Sequence, residues 1–367
     1  MKVISIERTV QEVCQNDILP NVKDPAGLVA FNAGRKAAYA GNPMLCTKQT
    51  VAQIIGVCGS EVIGRLNVFP LEVVADGKIL SAVCGDSLFV REEFRSTLYG
   101  ISLMNKLNNI TPDRLSLSAG FSPKARHVIR VIKDVIFPLR KFMTVRRTRG
   151  ILPTLGRFGW VVHISCLLDL LLWPYNFLTR IWVKLHLRGL AFKEIDIDDA
   201  DALKQFAEMI RKDKHRFREN MSEQILSWIV HNDFILDRLM TKRIIAYRQD
   251  NRFVAFAMIR EGRTPTELKL GNVIEWQCVP DLQNHMRYML LDAMQRSLDH
   301  LDCVVVEMGP LEARQCCFAD GYLPALTLGS SVVSIGLGKG SSMVRFEGYD
   351  DVANWRLRGA MGDLCFF

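Results

Sequence analysis

The chain has 367 residues, 49% hydrophobic and 23% charged, which excludes a disordered polymer and leaves room for two or three domains with real cores. Its formal net charge of +8 is local: from Arg140 to Arg188 nine basic residues face one acid, Asp169, and elsewhere the charges balance. Nucleic-acid binders spread basic residues over several elements and interleave them with aromatics, so this pattern argues against a nucleic-acid partner.

In chain order, MKVISIERTVQEV carries acids and no long apolar run, so it does not read as a signal peptide. None of the ten cysteines forms a C-x-x-C pair, which leaves zinc ribbons, thioredoxin chemistry and any metal site unsupported. They read as free thiols of a reducing cytoplasm. Residues 27–43 read as helix and loop, and VAQIIGV and SEVIGRLNVFPLEVV as strands. Asp76-Gly77 is a hairpin signal leading into the strand KILSAVCGDSLFV. The polar turn REEFRSTLYG and the helix ISLMNKL follow, then a strand in TPDRLSLSAGF. In SPKARHVIRVIKDVI, the residues Val128, Ile129, Ile132 and Ile136 fall at helical spacing.

Residues 150–190 change character. The apolar run from Trp160 to Trp173, interrupted by Asp169 and ended by Pro174, falls short of the roughly 20 residues that cross a bilayer. Three readings stay open: a core helix or interdomain linker, a helix in a membrane interface with its basic flanks on anionic lipid, and a true span. After Phe192 the first order of elements returns. Two helices (195–214 and 222–234) precede a hairpin about Asp250-Asn251, a strand (271–279), a helix opened by Pro280, a strand (302–309) and a short helix ending at Gly321. The expected fold is a duplicated α/β (α+β) one. Each unit has a mixed, mostly antiparallel sheet flanked by helices, with units at 1–145 and 191–367 and a basic apolar linker at 146–190.

A strand, a polar turn and a helix in that order resemble the cofactor motif of the GNAT acyltransferase superfamily, a strand followed by Arg/Gln-x-x-Gly-x-Gly/Ala. Val90 ends the strand, Arg95 takes the Arg/Gln place, Leu98 replaces the first glycine and Gly100 matches the second. Asn42-Pro43, GFSPKA (120–125) and NWRLRGAMGD (354–363) look like a bacterial subset with two tandem domains, often tied to surface polysaccharide or glycolipid assembly. The resemblance implies an acyl-CoA, acetyl-CoA among them, held by Leu88, Phe89, Val90, Arg95, Ser96, Thr97, Leu98, Tyr99, Gly100 and Ile101. In such a turn backbone N–H groups and the helix N-terminus face the pyrophosphate. It also implies a small-molecule, sugar or lipid-linked acceptor. The free cysteines and the basic apolar segment lead separately to the expectation of a cytoplasmic protein with peripheral contact to the inner membrane face through 146–190. Departures accompany the matches. Ile129 and Cys317 stand where the family has a tyrosine acid, and the second turn, Val279 to Gln283, lacks both glycine and base, so that half reads as a degenerate copy.

Acyl transfer needs a base for the acceptor's proton and dipoles for the developing oxyanion. Asp86 is the candidate base, against a solvated strand carboxylate; Tyr99 is a candidate acid or stacking ring, against a packing residue. Ser122 is a candidate substrate contact, against a plain N-cap. Glu92 and Glu93 read as surface residues. A Cys–His nucleophile at His163/Cys166 or His300/Cys303 lacks an orienting acid and reads as packing. A non-catalytic scaffold or acyl-carrier-binding protein is the alternative function.

Overall fold

The computed structural model describes residues 3–44, 50–95, 98–119, 135–146, 160–232, 241–263, 269–316, 321–324, 331–356 and 358. Local turn chemistry builds two long hairpins. Asp76 and Gly77 take φ of 47° and 82°, the left-handed pair that a two-residue type I′ turn demands, and join β3 (Glu61–Ala75) to β4 (Lys78–Val90). Asp250 and Asn251, at φ 49° and 63°, join β9 (Thr241–Gln249) to β10 (Arg252–Arg263) in the same way.

Each hairpin belongs to a half with the same order. The first has β1 (Val3–Thr9), helices α1 (Val10–Gln15) and α2 (Ala33–Ala40), β2 (Val51–Cys58), β3, β4, α3 (Tyr99–Leu107), β5 (Leu115–Ala119) and β6 (Val135–Val145). After α4 (Trp160–His186) the second has β7 (Ala191–Ile195), α5 (Ala200–Arg211), β8 (Phe217–Glu219) and α6 (Glu223–His231). It continues through β9, β10, β11 (Lys269–Cys278), α7 (Met286–Ser297), β12 (Cys303–Met308), α8 (Pro310–Ala313), β13 (Leu323–Pro324) and β14 (Ser331–Leu337). Capping fixes two helix starts: the Asp199 side chain accepts from the Ala202 amide at 3.0 Å and Ser222 Oγ from the Ile225 amide at 3.2 Å.

The described strands form one sheet in the order β1-β2-β3-β4-β5-β14-β6-β12-β11-β10-β9-β7, with β8 beside β3 and β13 beside β6. The halves therefore exchange strands. β14, from the C-terminal end, pairs antiparallel with both β5 and β6, and β6, from the first half, pairs with β12. A boundary at 145 thus follows a strand shared by both halves. Ile136, expected in a helix, lies in β6: β-branched Val135 and Ile136 gain sheet partners in Ile335 and Ser334, and that pairing overrides the local spacing. The helix expected from Ser122 lies otherwise outside the described residues. α4 runs on through Pro174, where the sequence marks an interruption.

One apolar core serves both halves. It takes Phe69, Leu71 and Val73 of β3, Phe137 and Leu139 of β6, Phe206 of α5, Trp228 of α6 and Phe256 of β10. Trp355 sits between Phe137 and Phe217, with ring centroids at 6.1 and 5.1 Å.

Candidate functional site

β4 and β5 run parallel but pair only over Ala82–Cys84 and Leu115–Leu117. Beyond that, β4 continues to Val90 along β3. The register carries Arg65 opposite Phe89 and Asn67 opposite Asp86, so Ser87 and Leu88 together oppose Leu66. This is a β-bulge, which turns a strand and ends regular pairing. The second half repeats it: β11 and β12 pair in parallel only from Leu270 to Val273 on β11, and Ile274 is the extra residue opposite β10. Each half thus has a bulged strand leaving its parallel neighbour, followed by a turn and a helix.

In the first half that turn is a 3-10 helix, Glu92–Phe94, and then α3. The first amides of a helix lack intrahelical partners, and Leu98, at the N-cap, gives α3 no side-chain cap. Leu98 is 76% exposed. Arg95 is exposed; its Nε donates to the Val90 carbonyl at 2.9 Å, and its guanidinium lies 5.9 Å from the Phe89 ring centroid. Arg91 is held by Glu61 at 3.0 Å and Glu93 at 2.5 Å. Leu88 and Val90 pack on the edge of the cluster that contains α3, while Phe89 is exposed and Gly100 and Ile101 are half-buried. A Cβ on Gly100 would meet only Val90 Cγ2, at 3.7 Å. A helix start with no cap from its N-cap residue, beside an exposed arginine, suits a phosphate group.

Tyr99 sits elsewhere. Its ring crosses β3 over Gly64 and brings its hydroxyl to Gly56 of β2, where a Cβ would stand 1.4 Å from the oxygen. Burial raises its pKa to about 12, a hydrogen bond with Ser5 offsetting part of the shift. The structure gives it a packing position under the sheet, on the side of β3 away from β5. Asp86 lies in β4 just before the bulge, opposite Asn67 of β3. Ser96, Thr97, Ser122, Ile129 and Cys317 lie outside the described residues. His300 is held by Glu261 at 2.8 Å, and burial raises the Cys303 thiol to about 12, so this pair has no thiolate to use.

The second half holds a group that the sequence reading passed over. At the end of β11 a cavity of about 230 Å³ is lined by Asp213, His215, Gln277, Cys278 and Gln283, among others. Asp213 Oδ1 lies 2.5 Å from His215 Nδ1, the arrangement that fixes an imidazole for acid–base work. Burial pushes the Asp213 carboxyl up, but the His215 hydrogen bond and the Arg356 charge outweigh it and hold it well below the usual carboxylate range. Arg356, itself buried, also binds buried Glu275 at 2.5 Å. Burial, with Glu275 nearby, pushes the Glu219 carboxyl well up. The Cys278 thiol donates to Gln283 Oε1 at 3.3 Å, and burial raises it to about 12. The D-x-H spacing was the available signal, inconspicuous in the basic run RKDKHRFR. The turn after β11 places Asp281 in the first turn of its 3-10 helix, Pro280–His285, where it meets anions with like charge.

No family model matches the sequence, and no curated protein does either. Solved structures do match. N-myristoyltransferase of Saccharomyces cerevisiae with bound myristoyl-CoA is 9% identical, with a TM-score of 0.54, over 84% of this chain and 71% of that one. A GCN5-related N-acetyltransferase from Anabaena variabilis is 8% identical, with a TM-score of 0.50, over 91% and 72%. A conserved protein of unknown function from Enterococcus faecalis, described as a probable N-acyltransferase, is 10% identical, with a TM-score of 0.52, over 94% and 75%. With the repeated element order and the two bulged, parting strands, these likenesses show that the chain has the GNAT fold, present twice.

Proposed function

We propose that the protein is an acyl-CoA-dependent acyltransferase that binds the cofactor in its first half and uses the second as a degenerate, supporting copy. One observation carries the reading: the parting of β4 from β5 at the bulge, beside the start of α3, which its N-cap residue leaves uncapped, and the exposed Arg95. The neighbours that are acyltransferases by name support the same class. In this reading the α3 amides and Arg95 hold the pyrophosphate, and Leu88, Phe89 and Val90 run alongside the thioester arm. The bound thioester supplies an activated acyl group. The chain's part is to align an acceptor with it and remove the acceptor's proton, a task we assign to Asp86 by its place before the bulge. Acetyl is the acyl group proposed, and the acceptor is an amine or hydroxyl of a sugar, glycolipid or small molecule met at the cytoplasmic side.

Calorimetry with acetyl-CoA tests the site. The wild type should bind one equivalent, and Arg95→Ala should bind about ten- to a hundredfold more weakly, the loss of one charged hydrogen bond. Because Gly100 has room for a Cβ, Gly100→Ala should keep its melting temperature and still weaken binding, the methyl group crowding the phosphates. Equal affinity in all three proteins overturns the site. Two equivalents bound, one lost on changes at Gln283, would overturn the supporting role of the second half.

A further inference from the structure

α4 has two unlike sides. Between Asn176 and Leu187 its inner side packs on the end of β6 and on the second half: Asn176 Nδ2 donates to the Val145 carbonyl at 3.0 Å, Arg180 Nη2 to the Gln295 carbonyl at 3.0 Å, and the His186 ring stacks on Tyr288 at 4.1 Å. Val183 on that side is fully buried. The other side is open. Nine of the sixteen large apolar side chains exposed among the described residues lie on this one helix, between Leu167 and Leu185. Leu170, Trp173 and Leu178 are 71%, 72% and 65% exposed.

Spacing turns those residues into a face. Leu167 and Leu185 are eighteen residues apart, five full turns, so the stripe returns to the same azimuth after about 27 Å. Leu170, Leu171, Leu178, Ile181 and Trp182 fall within about 60° of that line by the same geometry. A soluble surface rarely exposes so continuous an apolar strip. No helix among the described residues is long and apolar enough to cross a membrane, so a bilayer would meet this face side-on.

Charge chooses between a bilayer and a second copy of the chain. The segment around α4 holds the whole excess of positive charge, and Lys184 and Arg188 are exposed at the C-terminal end of the stripe. A second copy would bring a like excess against it, whereas an anionic lipid surface complements it. We propose that the outward face of α4 docks the protein on anionic bilayers, the helix lying in the interface with Trp182 at headgroup depth. This goes beyond the acyl-transfer reading and uses no residue of the 91–101 turn.

Flotation of the full chain with phosphatidylcholine vesicles, with and without phosphatidylglycerol, tests it. The protein should float with the anionic vesicles and far less with the neutral ones, and high salt should weaken the binding. Removing two charges, Lys184→Gln with Arg188→Gln, should lower affinity for anionic vesicles roughly 30-fold. Leu170→Glu with Leu178→Glu, at exposed sites, should abolish flotation and leave the acetyl-CoA titration unchanged. Should that variant fail to fold, quenching of the wild-type tryptophans by brominated lipid reads the same contact, and Trp182→Ser should remove part of it. Three results overturn the proposal: no flotation under any condition, equal and salt-insensitive binding to both vesicles, or a dimer in sedimentation that Leu178→Glu dissociates. Failure of the acetyl-CoA titration would leave this surface untouched, and failure of flotation would leave the cofactor site untouched.

Discussion

Tyr99 illustrates how a residue inside a ligand-like motif is claimed by packing. Its ring fits only because positions 56 and 64 are glycines, and a methyl group at Gly56 would overlap its hydroxyl. Gly56→Ala should therefore cost about 1–3 kcal/mol by overpacking, seen as a lower urea midpoint. Tyr99→Leu should relieve much of that cost in the double variant, and strictly additive costs would show that the two positions do not meet. The same residue sets a pH effect. The unfolded chain ionises the phenol near its ordinary value of 10, while the buried ring keeps its proton to about 12. Stability from this group is full below pH 10 and falls as pH rises through that window. Urea midpoints at pH 9.5 and 11.5 should fall more steeply for the wild type than for Tyr99→Phe, and parallel falls would place the phenol in water.

Elements whose identity rests on local chemistry were legible in the sequence. The two type I′ turns announce their hairpins through Asp76-Gly77 and Asp250-Asn251, and Pro280 opens its helix. β14 was not legible, because GSSVVSIGL carries no turn signal that names its partners, and those partners, β5 and β6, lie some two hundred residues earlier. β1 and β7 are edge strands, and β7 is largely exposed, so burial writes little pattern into it. At the candidate site the strand ending at Val90 and the helix that follows it were legible. The bulge was not, being a register event between strands, and neither was the Asp213–His215 contact. β14 carries a clear test. Val333 pairs with Ala119 on one side and Phe137 on the other. Val333→Pro should cost about 3 kcal/mol or more, since an interior strand has no slack for a missing donor. A loss under 1 kcal/mol in urea titration would mean that β14 is dispensable.

The molecule as a whole should melt as one unit despite its two halves. Strands are exchanged, one core cluster draws on both, β8 pairs with β3, and Arg216 clasps Asp76 at 2.7 Å. Scanning calorimetry should show one transition, with an enthalpy of about 250 kcal/mol near 60 °C and a van't Hoff value close to it. Two resolved peaks would contradict the shared core.

The exchanged strands also govern the order of events at the ribosome. β5 is synthesised more than two hundred residues before β14, its lateral partner. At 5–20 residues per second that interval lasts roughly 10–40 s. Throughout it the nascent first half holds an open β edge, the kind of surface that templates wrong pairings between neighbouring chains on one message. Translation speed and chaperone supply, more than the stability of the finished fold, should then set how much of the protein reaches its native form.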